Sequence, residues 1–182
     1  MNKWHWMSVA VMGCWSLTSV AAHPDFLQPY LAGQAVTEVA FSERSEWMEC
    51  SAMPSVNAWC SEPFAYYATP VWAEVTFHPD HRSEMVLHAD YSQHHWSQLQ
   101  LGLRKDGFQL QNAQLAQARF DVAQQRQTQS WEDTDKALVL FLNQQARAFP
   151  KTLTWQHQDA QATLFTDGVT MSLTLTQTAF AP

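Results

Sequence analysis

Histidine is the most conspicuous chemically active side chain in this sequence, with eight copies in 182 residues. His78 and His88 fall on the predicted polar faces of neighbouring strands, close to Glu74, and His81 falls in the turn between those strands. Imidazoles and a carboxylate that converge in this way can bind zinc or copper. The alternative interpretation is structural, because polar strand faces and turns also tolerate histidine. Convergence depends on strand register, so a metal site of His78, His81 and His88 is a hypothesis.

A second kind of metal chemistry is available at His23, which follows the small residues SVAA at positions 19–22. Cleavage after Ala22 would free the amine of His23, and this amine and the ring can bind one copper ion, with a second histidine completing a three-nitrogen site. The His23-Pro24 pair is similar to the mature start of copper-handling periplasmic proteins of the CopC type, and lytic polysaccharide monooxygenases also begin at histidine. The resemblance covers these two residues only. Many exported chains begin with an arbitrary residue, so we predict no cofactor. Copper bound at His23 is the alternative.

The first 22 residues have the layout of a secretory signal peptide: Lys3, an apolar stretch over residues 4–17, and small residues before the cleavage point. The apolar stretch is too short to span a bilayer, and no later segment predicts a transmembrane span. We therefore predict a signal peptide at 1–22 and a periplasmic or secreted protein. A lipid anchor on Cys14 is the alternative, because Val11-Met12-Gly13-Cys14 loosely resembles a lipidation motif.

Cleavage would leave two cysteines, Cys50 and Cys60, and an even count in an oxidising compartment predicts a disulfide. Redox or metal chemistry would favour the closer spacing C-x-x-C. Aromatic residues surround this loop and form a candidate surface for binding a partner protein, since Trp and Tyr dominate interface hot spots. The alternative is that they pack the loop onto the rest of the domain. The four candidates are Trp47, Trp59, Tyr66 and Tyr67.

Residues 23–182 have the length of one domain. The charge balance of the chain argues against nucleic acid as its ligand. The formal net charge is −7, and it becomes −8 without the leader, because Lys3 is the only charged residue among the first 22. An acidic chain without clustered Lys or Arg predicts no nucleic-acid binding. The sequence contains no nucleophile elbow, metalloprotease helix or phosphate-binding glycine loop, which favours a binding domain over an enzyme.

Alternation of apolar and polar residues predicts that the chain is mostly β-structure. Strands are expected over Ala35–Phe41, from Val71 to Phe77, from Met85 to Tyr91, and over the alternating leucines 99, 101 and 103, with a hairpin turn at Asp106-Gly107. Ser130 predicts the N-cap of the one main helix, and alternation resumes at Leu153 and at Val169. The expected fold is α+β, an antiparallel sheet of about seven strands with one helix across it; the alternative is a flattened barrel with a helix.

These observations together predict an exported, non-enzymatic domain that binds another protein, in the manner of an inhibitor, an immunity protein or an envelope assembly factor. The alternative is a periplasmic copper-binding protein that uses His23.

Overall fold

The computed structural model describes residues 24–50, 57–78 and 82–177. Within these ranges ten strands are present: β1 Trp47–Glu49, β2 Ala58–Ser61, β3 Phe64–Tyr66, β4 Thr69–Phe77, β5 Ser83–Asp90, β6 Gln109–Leu115, β7 Ala118–Asp121, β8 Lys151–His157, β9 Ala160–Thr166 and β10 Thr170–Gln177. The α-helices are α1 Gln28–Leu31, α2 Val39–Ser42, α3 Gln93–Lys105, α4 Val122–Gln125 and α5 Trp131–Gln144, and a 3-10 turn covers Asp25–Leu27.

The strands form one open antiparallel sheet. Its order is β1-β2-β4-β5-β10-β9-β8-β6-β7, and β3 pairs with the first residues of β4. The sheet therefore confirms the α+β prediction. It corrects the strand number from about seven to ten, and the barrel alternative is wrong because the sheet does not close.

The two faces of the sheet differ because side chains alternate along each strand. On the inner face, Val75, Leu87, Leu164 and Leu173 are almost completely buried and belong to one core that includes residues of the helices. The other face, which we call the outer face, carries threonine, serine and glutamine on β8 and β10, and a mixture that includes Trp72, Val86 and His88 on β4 and β5. The predicted aliphatic core face of β10 is confirmed by burial of its alternate residues.

The prediction of a single main helix is wrong, because residues 93–105 form the helix α3. Trp96, Leu99 and Leu103 are buried at helical spacing, whereas Leu101 is 48% exposed, so the alternation of the three leucines is coincidental. Ser92 caps the helix by accepting a hydrogen bond from the backbone N–H of His95 at 3.0 Å.

The Asp106-Gly107 step ends α3 and is not the predicted hairpin turn. Gly107 has a φ of 89°, and the backbone N–H of Phe108 donates to the carbonyl of Leu103 at 2.9 Å. Helices commonly end in this hydrogen-bond pattern, with glycine at a positive φ. The Asp106-Gly107 step therefore terminates a helix where a hairpin turn was predicted.

Two further predictions concern the segment over Ala35–Phe41 and the helix after Ser130. The predicted strand over Ala35–Phe41 is wrong, since the described chain there is irregular before α2 begins at Val39. The helix after Ser130 is confirmed as α5, and the Ser130 side chain accepts from the N–H of Asp133 at 3.1 Å.

Candidate functional site

The outer face carries a row of four side chains that spans four adjacent strands. Trp72 on β4 lies opposite His88 on β5, His88 lies opposite Ser172 on β10, and Ser172 lies opposite Phe165 on β9. Directly opposed side chains on one face are close enough to interact. The sheet register therefore places two large aromatic rings at the ends of a short polar strip.

A groove of about 540 Å³ follows this row, and we call it the Trp72 groove. Trp72 is 39% exposed and Phe165 is 38% exposed, so two large apolar side chains contribute surface to the groove. Pro63 and Pro70 extend the apolar lining beside Trp72, and Asp90 supplies a carboxylate. The groove thus combines an apolar wall with hydroxyl and acidic groups.

His88 stands at the centre of the groove and is held by two neighbours. Its ring stacks on Trp72 with centroids 4.1 Å apart, and its Nε2 lies 3.4 Å from a carboxylate oxygen of Glu74 without hydrogen-bond geometry. Burial lowers the pKa of His88, and the charge of Glu74 opposes this shift. The imidazole therefore favours its neutral form, and Asp90 is the groove's charged lining residue.

The structure does not bring the predicted metal-binding histidines together. His78 lies six residues beyond Trp72, which at the usual rise of a strand puts it about 20 Å from the His88 end of the sheet. His23 and His81 lie outside the described residues. Within residues 24–50, 57–78 and 82–177, no group of three or more His, Cys, Asp or Glu side chains could hold a metal ion.

The predicted disulfide is present. Cys50 and Cys60 are bonded with their Cα atoms 5.3 Å apart, and the bridge joins the end of β1 to β2. Cys60 lies directly opposite Glu74 on β4, so the disulfide borders the outer face near the Trp72 groove.

Four aromatic residues were predicted to form a surface for a partner protein. Two of them, Trp47 and Trp59, pack against the first residues of the described chain and against the core. Trp47 is 5% exposed, and its ring makes edge contacts with Phe26 and Phe41 at 5.0 and 4.7 Å. Trp59 is half-buried against the core. These tryptophans support the β1–β2 hairpin from its inner face.

The other two, Tyr66 and Tyr67, fix the β3–β4 turn to the end of α3. Both hydroxyls donate to the carboxylate of Asp106 at 2.6 Å, and burial, together with this carboxylate, raises the pKa of both tyrosines. Tyr67 has a φ of 46°, and its ring lies directly against Gly102. A positive φ is uncommon for a bulky residue. The contact between the Tyr67 ring and Gly102 explains why this side chain points toward α3.

Neither Trp72 nor Phe165 was singled out from the sequence as a binding residue. The available signal was a large aromatic residue at an outward-facing position of an alternating strand, which occurs twice, in β4 and β9. Their proximity could not be read from the sequence, because it depends on β10 lying between β5 and β9.

No protein-family description, curated protein or solved structure matches this chain. Among the described helices, none is both long and apolar enough to cross a membrane.

Proposed function

We propose that this chain is an exported, non-enzymatic domain that binds another protein, and that the Trp72 groove is the docking site. The observation that carries the proposal is the pair of exposed rings, Trp72 and Phe165, in a groove whose lining contains no helical residue. Large exposed aromatic residues in a concave site are the usual anchors of protein interfaces. The Cys50–Cys60 disulfide supports export, because disulfides persist in oxidising compartments.

The charge of the groove favours a particular kind of partner segment. Asp90 lines the groove, Glu74 lies beside it, and burial keeps His88 neutral, so the local charge is negative like that of the whole chain. A complementary segment would place an apolar side chain between Trp72 and Phe165 and a Lys or Arg next to Asp90.

The four aromatic residues near the disulfide enter this proposal as support for the docking face. Trp47 and Trp59 hold the β1–β2 hairpin beside β4, and Tyr66 and Tyr67 hold the turn that precedes Pro70 and Trp72. We propose that they set the position of the groove wall.

Site-specific cross-linking in the exporting cell would identify the partner. A photoreactive amino acid at Ser172, on the groove floor, should give a discrete cross-linked protein that mass spectrometry identifies. The same group at Gln114, an exposed residue of the outer face on β6, is the matched control. Equal cross-linking from both positions, or none from Ser172, would contradict docking in the groove.

Copper binding by His23 is the second proposal, and one observation favours it. The residues that immediately follow His23 are anchored: Leu27 is completely buried, and the Phe26 ring contacts Trp47. His23 precedes Phe26 by three residues in the sequence, so a copper ion bound by its amine and ring would be held close along the chain to this anchored segment. Calorimetric titration of copper should show tighter binding by protein that begins at His23 than by protein with one extra residue before it, and equal affinities would end this proposal.

A further inference from the structure

Lys151 occupies a position where the strand pattern calls for an apolar residue. It is the first residue of β8, in register with Leu115 and Thr166, and it points to the inner face like the next alternate residues, Leu153 and Trp155. It is only 4% exposed. Lysine is rarely buried to this degree without a partner of opposite charge.

The ammonium of Lys151 has no such partner in the part of the chain that the structure describes. Its Nζ donates one hydrogen bond, at 2.6 Å, to the carbonyl of Ala146 and lies 4.5 Å from the centre of the Phe149 ring. No carboxylate of these residues comes within 4.0 Å of it, and burial lowers the pKa of the side chain. An ammonium can donate three hydrogen bonds, and a buried charge without a counter-charge is costly.

This side chain lines a cleft of about 170 Å³ between the start of α3 and the end of α5, which we call the Lys151 cleft. Four amide side chains share the lining: Gln93, Gln100, Asn143 and Gln145. The oxygen of the Gln93 amide accepts from the hydroxyl of Tyr91 at 3.2 Å, which leaves its NH₂ group as a donor. Lys151 is the cleft's charged lining residue, so the cleft has positive charge and no acid. The NH₂ group of Gln93 is a donor there, whereas that of Gln100 already donates to the carbonyl of Trp96 at 3.1 Å.

We propose that the Lys151 cleft is a binding site for a carboxylate group, held by the ammonium of Lys151 and by the neighbouring amides. A carboxylate accepts hydrogen bonds at both oxygens, and its charge complements the buried ammonium. The volume corresponds to roughly five or six water molecules, enough for a small carboxylic acid or for the last residue of a peptide. The cleft lies on the inner side of the sheet, separate from the Trp72 groove, so this inference does not depend on the proposed function.

The test compares matched acids and amides on the intact mature protein. N-acetylglycine and a short peptide with a free C-terminus are titrated alongside N-acetylglycinamide and the amidated peptide, and the side-chain amide signals of Gln93, Gln100 and Asn143 are followed by NMR. We expect saturable shifts with the acids, in the millimolar range or tighter, and at least tenfold weaker binding of the amides. The stronger of the two acids assigns the source, a free small acid or a peptide C-terminus.

Lys151→Met keeps the length and apolar stem of the side chain and removes its charge. This variant should weaken binding of the acid at least tenfold, whereas Lys136→Met, at an exposed lysine of α5, should leave it unchanged. Equal binding by wild type and Lys151→Met, equal responses to acid and amide, or no shift of the three amide signals up to tens of millimolar would overturn the proposal. The wild-type comparison of acid with amide decides the question even where the methionine variant does not fold.

Discussion

His88 illustrates how the groove changes the chemistry of a single residue. Its ring stacks on Trp72 and its Nε2 lies 3.4 Å from the carboxylate of Glu74, and burial lowers its pKa below the ordinary value of 6.5 more strongly than Glu74 raises it. Sequence reasoning placed His88 and Glu74 correctly on one polar face. It offered a metal site there as a hypothesis, with a structural role as the alternative, whereas the structure gives His88 an aromatic partner that the sequence pattern could not assign.

The lowered pKa predicts a specific pH dependence of stability. Below about pH 6.5 the unfolded chain binds a proton at His88 that the folded chain does not, so the free energy of unfolding should fall as pH decreases through this range, by at most about 1.4 kcal/mol per pH unit. Above pH 6.5 this contribution is constant. Urea unfolding at pH 7 and pH 5 should show a smaller loss for His88→Gln than for wild type.

The control is His94→Gln, which changes an exposed histidine at the start of α3. It removes one histidine without changing Trp72 or Glu74, and the loss of stability between pH 7 and pH 5 should be smaller in His88→Gln than in this variant. Identical losses of stability in wild type and His88→Gln between pH 7 and pH 5 would contradict the assignment of a lowered pKa to His88.

At the scale of elements, alternation predicted β4, β5, β8 and β10 because their alternate residues are buried against the core. It failed for α3. Leu99, Leu101 and Leu103 alternate as in a strand, but the buried residues are Trp96, Leu99 and Leu103, which have the spacing of one helix face. The short strands β1, β2 and β3 have three or four residues each, too few to show a period. Their formation depends on pairing with one another and with β4, which a local pattern does not contain.

The contact between α3 and the β3–β4 turn makes a second prediction. A Cβ atom at Gly102 would lie 2.2 Å from Cδ2 of Tyr67, so Gly102→Ala should lower the free energy of unfolding by about 1–3 kcal/mol, although alanine is the better helix former. In a Tyr67→Ala background the same change should be neutral or stabilising, by up to about 1 kcal/mol. Urea unfolding of the four proteins measures both effects, and a Gly102→Ala protein as stable as wild type would show that the ring does not pack as described.

At the scale of the whole molecule, the open sheet separates two surfaces. The helices and the Lys151 cleft lie on the inner side, and the Trp72 groove lies on the outer side, bordered by the disulfide-linked β1–β2 hairpin. The α+β class was predictable because several segments with strand alternation and one helical segment follow one another along the chain. The groove was not, because its walls come from β4 and β9, which become near neighbours only when β5 and β10 pair between them.

The central claim is that Trp72 anchors a protein partner in the groove, and one affinity measurement tests it most directly. With the partner identified by cross-linking, its dissociation constant is measured for wild type, Trp72→Ala and Trp131→Ala, the last removing a tryptophan that is 59% exposed on α5, away from the groove. We predict that Trp72→Ala weakens binding by about 30-fold, the effect of a hot-spot residue worth about 2 kcal/mol, and that Trp131→Ala stays within about twofold of wild type. Wild-type affinity in a folded Trp72→Ala protein would contradict the account.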